Sequence, residues 1–165
     1  MDRKLETPKV KDILVTKVIA FRPDFTSFDA IRNFNEHRIS TAPVVNEQNE
    51  VVGYLSESDC IKCLSNCLFH DETRYRTIDN IMSKKVAIAE NDWDMFELES
   101  FFISNHLRSA PVVDSENHLL GIVTRRDALK ALQNCMEGRE DYKREIKTPV
   151  ELNMKERIKM IVGRR

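Results

Sequence analysis

The sequence has little of several features that would assign it to a large class of proteins. It holds four cysteines, four glycines and five prolines in 165 residues, and its formal net charge is −1. A near-neutral charge argues against a generally basic nucleic-acid-binding protein. No apolar run approaches about 18 residues, so we expect no membrane span. Residues 1–10 lack the apolar core of a signal peptide, which predicts a cytoplasmic location.

The few cysteines favour reduced thiols over a disulfide framework. Cys60, Cys63 and Cys67 are spaced i, i+3 and i+7, so they would share one face of a helix. A metal site would normally need a second group of ligands, and neither a histidine nor another cysteine pair lies nearby in the sequence. The spacing therefore predicts a helix face that is buried or lies in an interface, where cysteine acts as a small apolar residue.

An internal repeat organises most of the chain. Shifting the sequence by 68 residues aligns residues 10–64 with 78–132 without a gap, and 15 of the 55 pairs are identical. Glycine and proline are scarce, yet Gly53 aligns with Gly121 and Pro43 with Pro111. This coincidence indicates a duplicated unit. One unit of about 55 residues buries too little surface to be comfortably stable alone, so the two copies should pack together.

Each copy shows the same order of predicted elements. Short apolar runs at 18–21 and 86–89 predict strands. Thr26 and Asp94 begin helices, because each is followed three residues later by an acid. The predicted hairpins span 42–55 and 110–123, and second helices begin at Ser56 and Thr124. The predicted fold class is therefore α/β (α+β), with two β-α-β-β-α repeats packed sheet to sheet about an approximate twofold axis.

The expected domain organisation follows from the repeat. It comprises an N-terminal segment at 1–9, repeat 1 at 10–64, a polar linker at 65–77, repeat 2 at 78–132, and a charged linker with a C-terminal amphipathic helix at 133–165. Thr148, Pro149 and Glu151 predict the start of that last helix. Its apolar stripe holds Val150, Met154, Ile158 and Ile161. Such a stripe needs a partner, either the rest of the domain or a second chain.

Two motifs recur in register and carry a resemblance. The first is Gly-Tyr-Leu-Ser-Glu-Ser-Asp at 53–59, with Gly-Ile-Val-Thr-Arg-Arg-Asp at 121–127. The second is Ala-Pro-Val-Val at 42–45 and 110–113. Each repeat resembles the cystathionine β-synthase (CBS) domain, and the pair resembles a Bateman module. The resemblance covers two thirds of the chain. It implies a regulatory module, suited to energy sensing, that binds an adenosine-containing ligand in the cleft between its copies.

The motif at the start of each second helix has two interpretations. Ser56 with Asp59, and Thr124 with Asp127, can each form a capping box that stabilises the helix by about 1 kcal/mol without any ligand. Alternatively, the carboxylate accepts both hydroxyls of a ribose, and the helix N-terminus accepts a phosphate. The preceding glycine would then allow the backbone to approach the ligand. The family resemblance implies the second interpretation, with the Ser or Thr near the phosphates.

The resemblance also implies which residues form two nucleotide sites, each combining the second helix of one copy with the first strand of the other. One site comprises Asp127, Thr124, Arg126, Ile122, Thr16, Ile19 and Ile39, with Arg108 and Ser109 facing the phosphates. The other comprises Asp59, Ser56, Ser58, Tyr54, Lys84, Ala87 and Leu107, with Ser40 and Thr41. Two arginines against one lysine predict that the Asp127 site holds phosphate better.

No catalytic set emerges from the sequence, so we expect neither an enzyme nor a catalytic cofactor or metal. The four histidines are not matched by a nucleophile and an acid in a common pocket. The expected ligand is an adenine nucleotide (AMP, ADP or ATP) with a regulatory role, although S-adenosylmethionine or NAD would share the ribose contact. A regulated partner protein of unknown identity would read the ligand's presence.

The outer helices predict a homodimer. Their apolar residues are Cys60, Ile61 and Leu64 in one copy and Ala128, Leu129 and Leu132 in the other. Two alternatives remain at this stage: a ligand-free dimerisation or adaptor module, and a nucleic-acid-binding adaptor. The latter would use a basic tail, Lys155, Arg157, Lys159, Arg164 and Arg165. Acidic residues nearby weaken the field of that tail, so we do not expect nucleic acid as a partner, nor a membrane.

Overall fold

Each repeat is built around a β-hairpin followed by a helix. A computed structural model of the chain describes residues 7–70 and 76–138. Along the chain, the elements are α1 (Val10–Ile13), α2 (Ser27–His37), β1 (Thr41–Val45), β2 (Val51–Ser56), α3 (Glu57–His70), a 3-10 turn (Ile78–Asn80), β3 (Ala89–Glu90), α4 (Met95–Ser104), β4 (Ser109–Val113), β5 (Leu119–Thr124) and α5 (Arg125–Glu137). The predicted mixture of helices and strands is confirmed.

The two hairpins have matching registers. Strands β1 and β2 pair antiparallel, as do β4 and β5, and each pair has an irregularity between two consecutive valines, at Val44/Val45 and at Val112/Val113. The connecting turns place Asn49 and Asn117 at φ of 66° and 68°. Asparagine is one of the few residues other than glycine that visit this left-handed region readily. The polar turns that the sequence predicts are therefore present in both copies.

The predicted helix starts are also present. Thr26 and Asp94 both form capping boxes, with Asp29 and Glu97 respectively as the third helical residue. Helix α2 buries Ala30 and Phe34. Helix α4 covers the second hairpin with its buried residues, which are Met95, Leu98 and Phe102. Each helix thus covers one face of its own hairpin, and each repeat has its own apolar core.

The first strand of each copy is shorter than the sequence predicts. Residues 18–20 form no ladder, and Phe21 makes a single parallel bridge to Val44. In the second copy only β3 pairs, parallel to β4. The reason is that the chain upstream of these points crosses to the other repeat. Val15 pairs with Ile122 on β5, and Ser83 pairs with Tyr54 on β2. Residues 14–21 and 82–89, here called the crossing segments, therefore run from one repeat to the other and do not extend a sheet.

A pseudo-twofold axis relates the two copies, because residues 68 positions apart make matching contacts across the seam. Thr41 Oγ1 lies 2.8 Å from Ser109 Oγ, which is its own counterpart. The N–H of Val51 donates to the carbonyl of Asn117 at 3.1 Å, and that of Leu119 donates to Asn49 at 3.0 Å. The side-chain amide of Asn117 donates to the carbonyl of Val51 at 3.0 Å, and that of Asn49 donates to the carbonyl of Leu119 at 3.3 Å. These bonds hold the hairpins of both copies together.

The glycine of each motif makes room for the other repeat. A Cβ on Gly121 would lie 2.6 Å from the backbone oxygen of Val15 and would also collide with Leu14. A Cβ on Gly53 would collide with the side chain of Met82, the counterpart of Leu14. The crossing segment of the other copy thus occupies the position of a Cβ at each glycine, which gives these glycines a packing role. The approach of a ligand to their backbone stays a prediction.

The cysteine face of α3 belongs mainly to the core of repeat 1. Cys60 and Cys63 are 3% and 4% exposed, and Cys67 is half-buried. Burial, together with the nearby Asp59 carboxylate, raises the pKa of the Cys60 thiol to about 11. Cys60 is therefore protonated at neutral pH and packs as a small apolar side chain, as the sequence spacing predicts.

The described residues fall into two compact units that divide between Gln133 and Asn134, and both repeats lie in the first unit. The second unit is described only to residue 138, where it contains the end of α5. The predicted helix that begins near Thr148 lies outside the described residues, as does the basic tail. Within the described ranges, no helix combines the length and apolar character needed to cross a membrane.

A methyl group added at either motif glycine would meet the other repeat, but at Gly121 it would meet rigid backbone and at Gly53 a flexible side chain. We expect Gly121→Ala to lower the free energy of unfolding by about 1–3 kcal/mol, because the backbone of Val15 must move. Gly53→Ala should cost less, because the obstacle is the flexible side chain of Met82. Urea denaturation of both variants measures the difference. Equal costs would show that the seam yields as easily at both positions.

Stability should also depend on pH through His118, which lies where the two copies meet. Its backbone forms a β-bridge with that of Glu50 in the other copy. The hydrogen bond that His118 Nδ1 donates to the Asp114 carboxylate, 3.0 Å away, raises the pKa of His118, and the charges of Glu116 and Glu50 add to the effect. A raised folded pKa stabilises the fold fully below the unfolded value of about 6.5. This contribution disappears as pH rises through the folded pKa.

We therefore expect the parent protein to lose stability as the pH rises from about 6.5, the ordinary pKa of histidine, through the raised pKa of His118. His118→Gln should lose less over the same window. Denaturation midpoints at a series of pH values provide the measurement. An unchanged pH profile in the variant would contradict a role for His118.

Candidate functional site

Two cavities lie between the repeats, one on each side of the seam. Cavity A, with a volume of about 600 Å³, is bounded by the N-terminal turn of α5 and the crossing segment of repeat 1. Cavity B, of about 570 Å³, is bounded by the N-terminal turn of α3 and the crossing segment of repeat 2. Both volumes are in the range of small-molecule sites. Each cavity combines the second helix of one copy with the first segment of the other, as the sequence predicts.

The linings of the two cavities correspond position by position. Cavity A is lined by Val15, Lys17, Val18, Ile19, Arg38, Ile39, Ser40, Thr41, Arg108, Ser109, Ile122, Thr124, Arg125 and Arg126. Adding or subtracting 68 converts every one of these residues into a lining residue of cavity B, which has Asp59 and Ile61 in addition. The cavities are thus two copies of one site, and they differ only in the side chains that line them.

Most of the predicted site residues gather in these cavities. Cavity A brings together Ile122, Thr124, Arg126, Ile19, Ile39, Arg108 and Ser109. Cavity B brings together Tyr54, Ser56, Ser58, Asp59, Ala87, Leu107, Ser40 and Thr41. The arrangement places them around a common volume. Their role in binding a nucleotide stays a prediction.

Three predicted residues do not line a cavity. Thr16 is exposed, and its neighbours Val15 and Lys17 line cavity A in its place. Lys84 pairs with the carboxylate of Asp79 at 2.9 Å, and the next residue, Lys85, lines cavity B instead. Both residues lie in irregular segments and not in the strands that were expected, and a role for them in binding stays a prediction.

Asp127 is the third predicted residue outside a lining. It is half-buried on α5, and its carboxylate connects to cavity A through Thr124. The equivalent Asp59 does line cavity B. Asp127 thus lies next to the cavity wall, and a ribose contact from it stays a prediction.

Both helix starts form capping boxes, so this interpretation of the motif is correct as a description of the structure. Asp127 Oδ2 accepts from the backbone N–H of Thr124 at 3.0 Å and from its hydroxyl at 2.6 Å. Asp59 Oδ2 accepts from Ser56 at the same two distances. Among the described residues, Oδ1 of each carboxylate has no hydrogen-bond partner. Capping therefore occupies one oxygen and leaves the other able to accept a ligand hydroxyl.

A cluster of hydroxyl groups separates the two cavities. Tyr54 lies 2.9 Å from the hydroxyl of Ser109 and 3.3 Å from that of Thr41, and these two are hydrogen-bonded to each other. Burial raises the pKa of Tyr54, while its hydroxyl partners oppose the rise. Thr41 and Ser109 line both cavities, together with Ser40 and Arg108. These four residues form the shared wall.

The charges of the two linings differ strongly. Cavity A has five cationic side chains and no carboxylate in its lining: Lys17, Arg38, Arg108, Arg125 and Arg126. The corresponding positions of cavity B hold Lys85, His106, Ser40, Glu57 and Ser58, and Asp59 adds a second carboxylate. The N-termini of α5 and α3 each place a positive helix end at a cavity, so the difference between the cavities comes from their side chains. The lining of cavity A is the more cationic of the two, and a stronger hold on phosphate there stays a prediction.

Sequence reasoning missed part of this charge difference. It found Arg108 and Arg126 but not Lys17, Arg38 or Arg125. Arg38 was hard to predict because it ends α2 in a left-handed conformation, with φ of 52°. Arg125 could have been found, since its counterpart in the repeat is Glu57 and a reversal of charge within a motif is visible in the sequence.

Comparisons with known proteins agree with this geometry. The CBS domain family matches residues 10–66 and 78–134. Protein MJ1426 of Methanocaldococcus jannaschii is 30% identical over 152 residues, which cover 74% of this chain and 90% of that protein. The chain belongs to the CBS domain family, and its two repeats form a tandem CBS domain pair.

Solved structures show the same fold with ligands bound. The CBS domain pair of protein MJ0100, in complex with 5'-methylthioadenosine and S-adenosyl-L-methionine, is 26% identical, with a TM-score of 0.67 over 78% of this chain and 98% of that one. The cytosolic domain of the Mg²⁺ channel MgtE, in complex with ATP, is 25% identical, with a TM-score of 0.63. That match covers 77% of this chain and about half of the MgtE chain (50%).

Proposed function

We propose that this protein is a regulatory module that binds adenine nucleotides in cavities A and B and relays their presence to a partner protein. The observation that carries the proposal is the pair of equivalent cavities, each with a capped helix start, a free carboxylate oxygen beside it and apolar walls. Solved structures with the same fold, the CBS domain pair of MJ0100 and the cytosolic domain of MgtE, contain adenosine-containing ligands. We propose no catalytic role.

The lining supplies a partner for each part of a nucleotide. Ile19, Ile39 and Ile122 form an apolar surface suited to an adenine ring in cavity A. The free oxygen of Asp127 can accept a ribose hydroxyl, and the arginines can pair with phosphate oxygens. In cavity B, Ala87 and Leu107 are the apolar residues, and Asp59 corresponds to Asp127. Cavity A should therefore bind ATP or ADP more tightly than cavity B does.

A ligand in either cavity contacts both repeats, which gives it a route to signal. It stabilises whichever relative orientation of the repeats it binds more tightly. The crossing segments make this orientation sensitive, because they belong to one repeat and pair with the other. A partner that contacts both repeats would read the change.

Three aspartates allow capping to be separated from ligand binding. Asp29 forms a capping box with Thr26 whose distances, 3.0 Å and 2.6 Å, equal those at Asp127 and Asp59, and it lines neither cavity. Replacing any of the three by alanine should lower stability through the lost cap. Only the two motif aspartates should affect binding.

We expect Asp127→Ala to weaken ATP binding at the tighter site by about 10- to 100-fold, the loss of a hydrogen bond to a charged group. Asp59→Ala should affect only the weaker site. Asp29→Ala should bind like the parent. Calorimetric titration with AMP, ADP and ATP decides between the interpretations. If Asp127→Ala binds like Asp29→Ala, the carboxylate is only a cap and the assignment of Asp127 to the ligand is wrong. If the parent itself binds none of the three nucleotides, a ligand-free adaptor becomes the better account.

The proposed homodimer has a smaller apolar surface than the sequence suggested. Cys60 is buried in the core of repeat 1, Leu64 is half-buried, and Ala128 and Leu132 pack against the core of repeat 2. Ile61 and Leu129, which are counterparts, remain 62% and 68% exposed. Together with Leu68, which is 81% exposed, they give α3 and α5 outward apolar residues suited to a second copy.

Light scattering at low micromolar concentration should give twice the chain mass of 19.3 kDa. Leu129→Lys should convert the dimer to a monomer, because a buried charge without a partner opposes association. Phe96→Lys is the matched control, since Phe96 is also 68% exposed but lies on α4. A parent monomer, or a dimer broken only by Phe96→Lys, would overturn the proposed interface.

A further inference from the structure

We infer that nucleotides in the two cavities oppose each other's binding, because Arg108 serves both sites and can pair with only one phosphate group at a time. This inference rests on the proposed function. It concerns how the two sites interact, which the equivalence of the cavities alone would not predict. The contributing facts are the position of Arg108, its lack of competing partners and the charges that remain in each cavity without it.

Arg108 is the one cation among the four residues of the shared wall, the others being Ser40, Thr41 and Ser109. Its counterpart in repeat 1 is Ser40, so the pseudo-twofold axis does not supply a second arginine for the other cavity. Arg108 is exposed, and its guanidinium has no ion pair or hydrogen-bond partner among the described residues. The side chain is therefore available to either cavity.

The two cavities depend on Arg108 to different degrees. Without it, cavity A retains four cations, Lys17, Arg38, Arg125 and Arg126, and has no carboxylate in its lining. Cavity B retains Lys85 against the carboxylates of Glu57 and Asp59, besides His106. When a polyphosphate in cavity A pairs with Arg108, cavity B is therefore left with two carboxylates, Glu57 and Asp59, and one lysine, Lys85. Binding of a second phosphate group there becomes less favourable.

Coupling of this kind is reciprocal and is measured as a ratio of affinities. We expect cavity B to bind ATP about five- to tenfold less tightly when cavity A is filled than when it is empty. The filled state is the parent protein at saturating ATP, since cavity A fills first. The empty state is Asp127→Ala, in which cavity A binds ATP about 10- to 100-fold more weakly. It is measured at ATP concentrations at which the signals from cavity A show that cavity still unfilled.

Isoleucine methyl groups report on the two cavities separately. Ile19, Ile39 and Ile122 line only cavity A, and Ile61 lines only cavity B. Titration of ¹³C-methyl-labelled protein with ATP, in buffer free of divalent cations, therefore gives an affinity for each site from its own NMR signals. The coupling is the ratio of two affinities of cavity B for ATP, both read from the Ile61 signal: that in Asp127→Ala and that in the parent.

Arg108→Gln should reduce this ratio to about twofold or less, the level left by screened repulsion between phosphates. Arg126→Gln is the matched control, because it removes the same charge from cavity A alone. It should weaken cavity A but keep the ratio once that cavity is saturated. Adenosine, which has no phosphate, should show no coupling in any variant.

The outcomes separate this inference from the proposed function. If neither set of isoleucine signals responds to ATP, the proposed function is wrong. If both respond with affinities that do not depend on each other, the proposed function stands and the antagonism is wrong. If the ratio persists in Arg108→Gln, or if adenosine shows it too, the coupling comes from another contact and Arg108 is not its cause.

Discussion

The exchange of backbone segments between the two repeats is the constraint on which the other features depend. Val15 pairs with β5 of the opposite repeat, and Ser83 pairs with β2. These pairings need motif glycines, because the crossing chain passes where a Cβ would stand. They also explain why the first strands are short. The cavities are the spaces left beside the crossing segments, so fold and site have one origin.

Duplication gives the two cavities the same shape, and sequence divergence gives them different charge. The lining positions correspond throughout, yet Arg125 faces one cavity and Glu57 the other. A charge reversal at a helix start changes the electrostatic field at a bound phosphate without disturbing the four-residue capping box. One scaffold can thus hold two sites of different preference. The shared wall then joins them through Arg108.

The sequence was informative where local rules decide the structure. Helix starts at Thr26 and Asp94 follow from capping, and the polar turns follow from short polar segments between apolar runs. It was less informative where one copy meets the other. The run at 18–21 reads as a strand because it is apolar, but its partner is decided by the crossing at Val15, which no local pattern reveals. The equivalent crossing at Ser83 places Lys85, and not the predicted Lys84, in the lining of cavity B. The motif glycines leave room for a close approach, and in the structure the crossing segment of the other repeat occupies the position of their absent Cβ.

The central claim is that the space beside each crossing segment is a nucleotide site. Native mass spectrometry of the full chain, as purified and after addition of ATP, tests it most directly. The account predicts an adduct with the mass of an adenosine-containing molecule, rising to two nucleotides per chain, one for each cavity, as ATP is added. A spectrum that shows only the bare chain mass at millimolar ATP would contradict it.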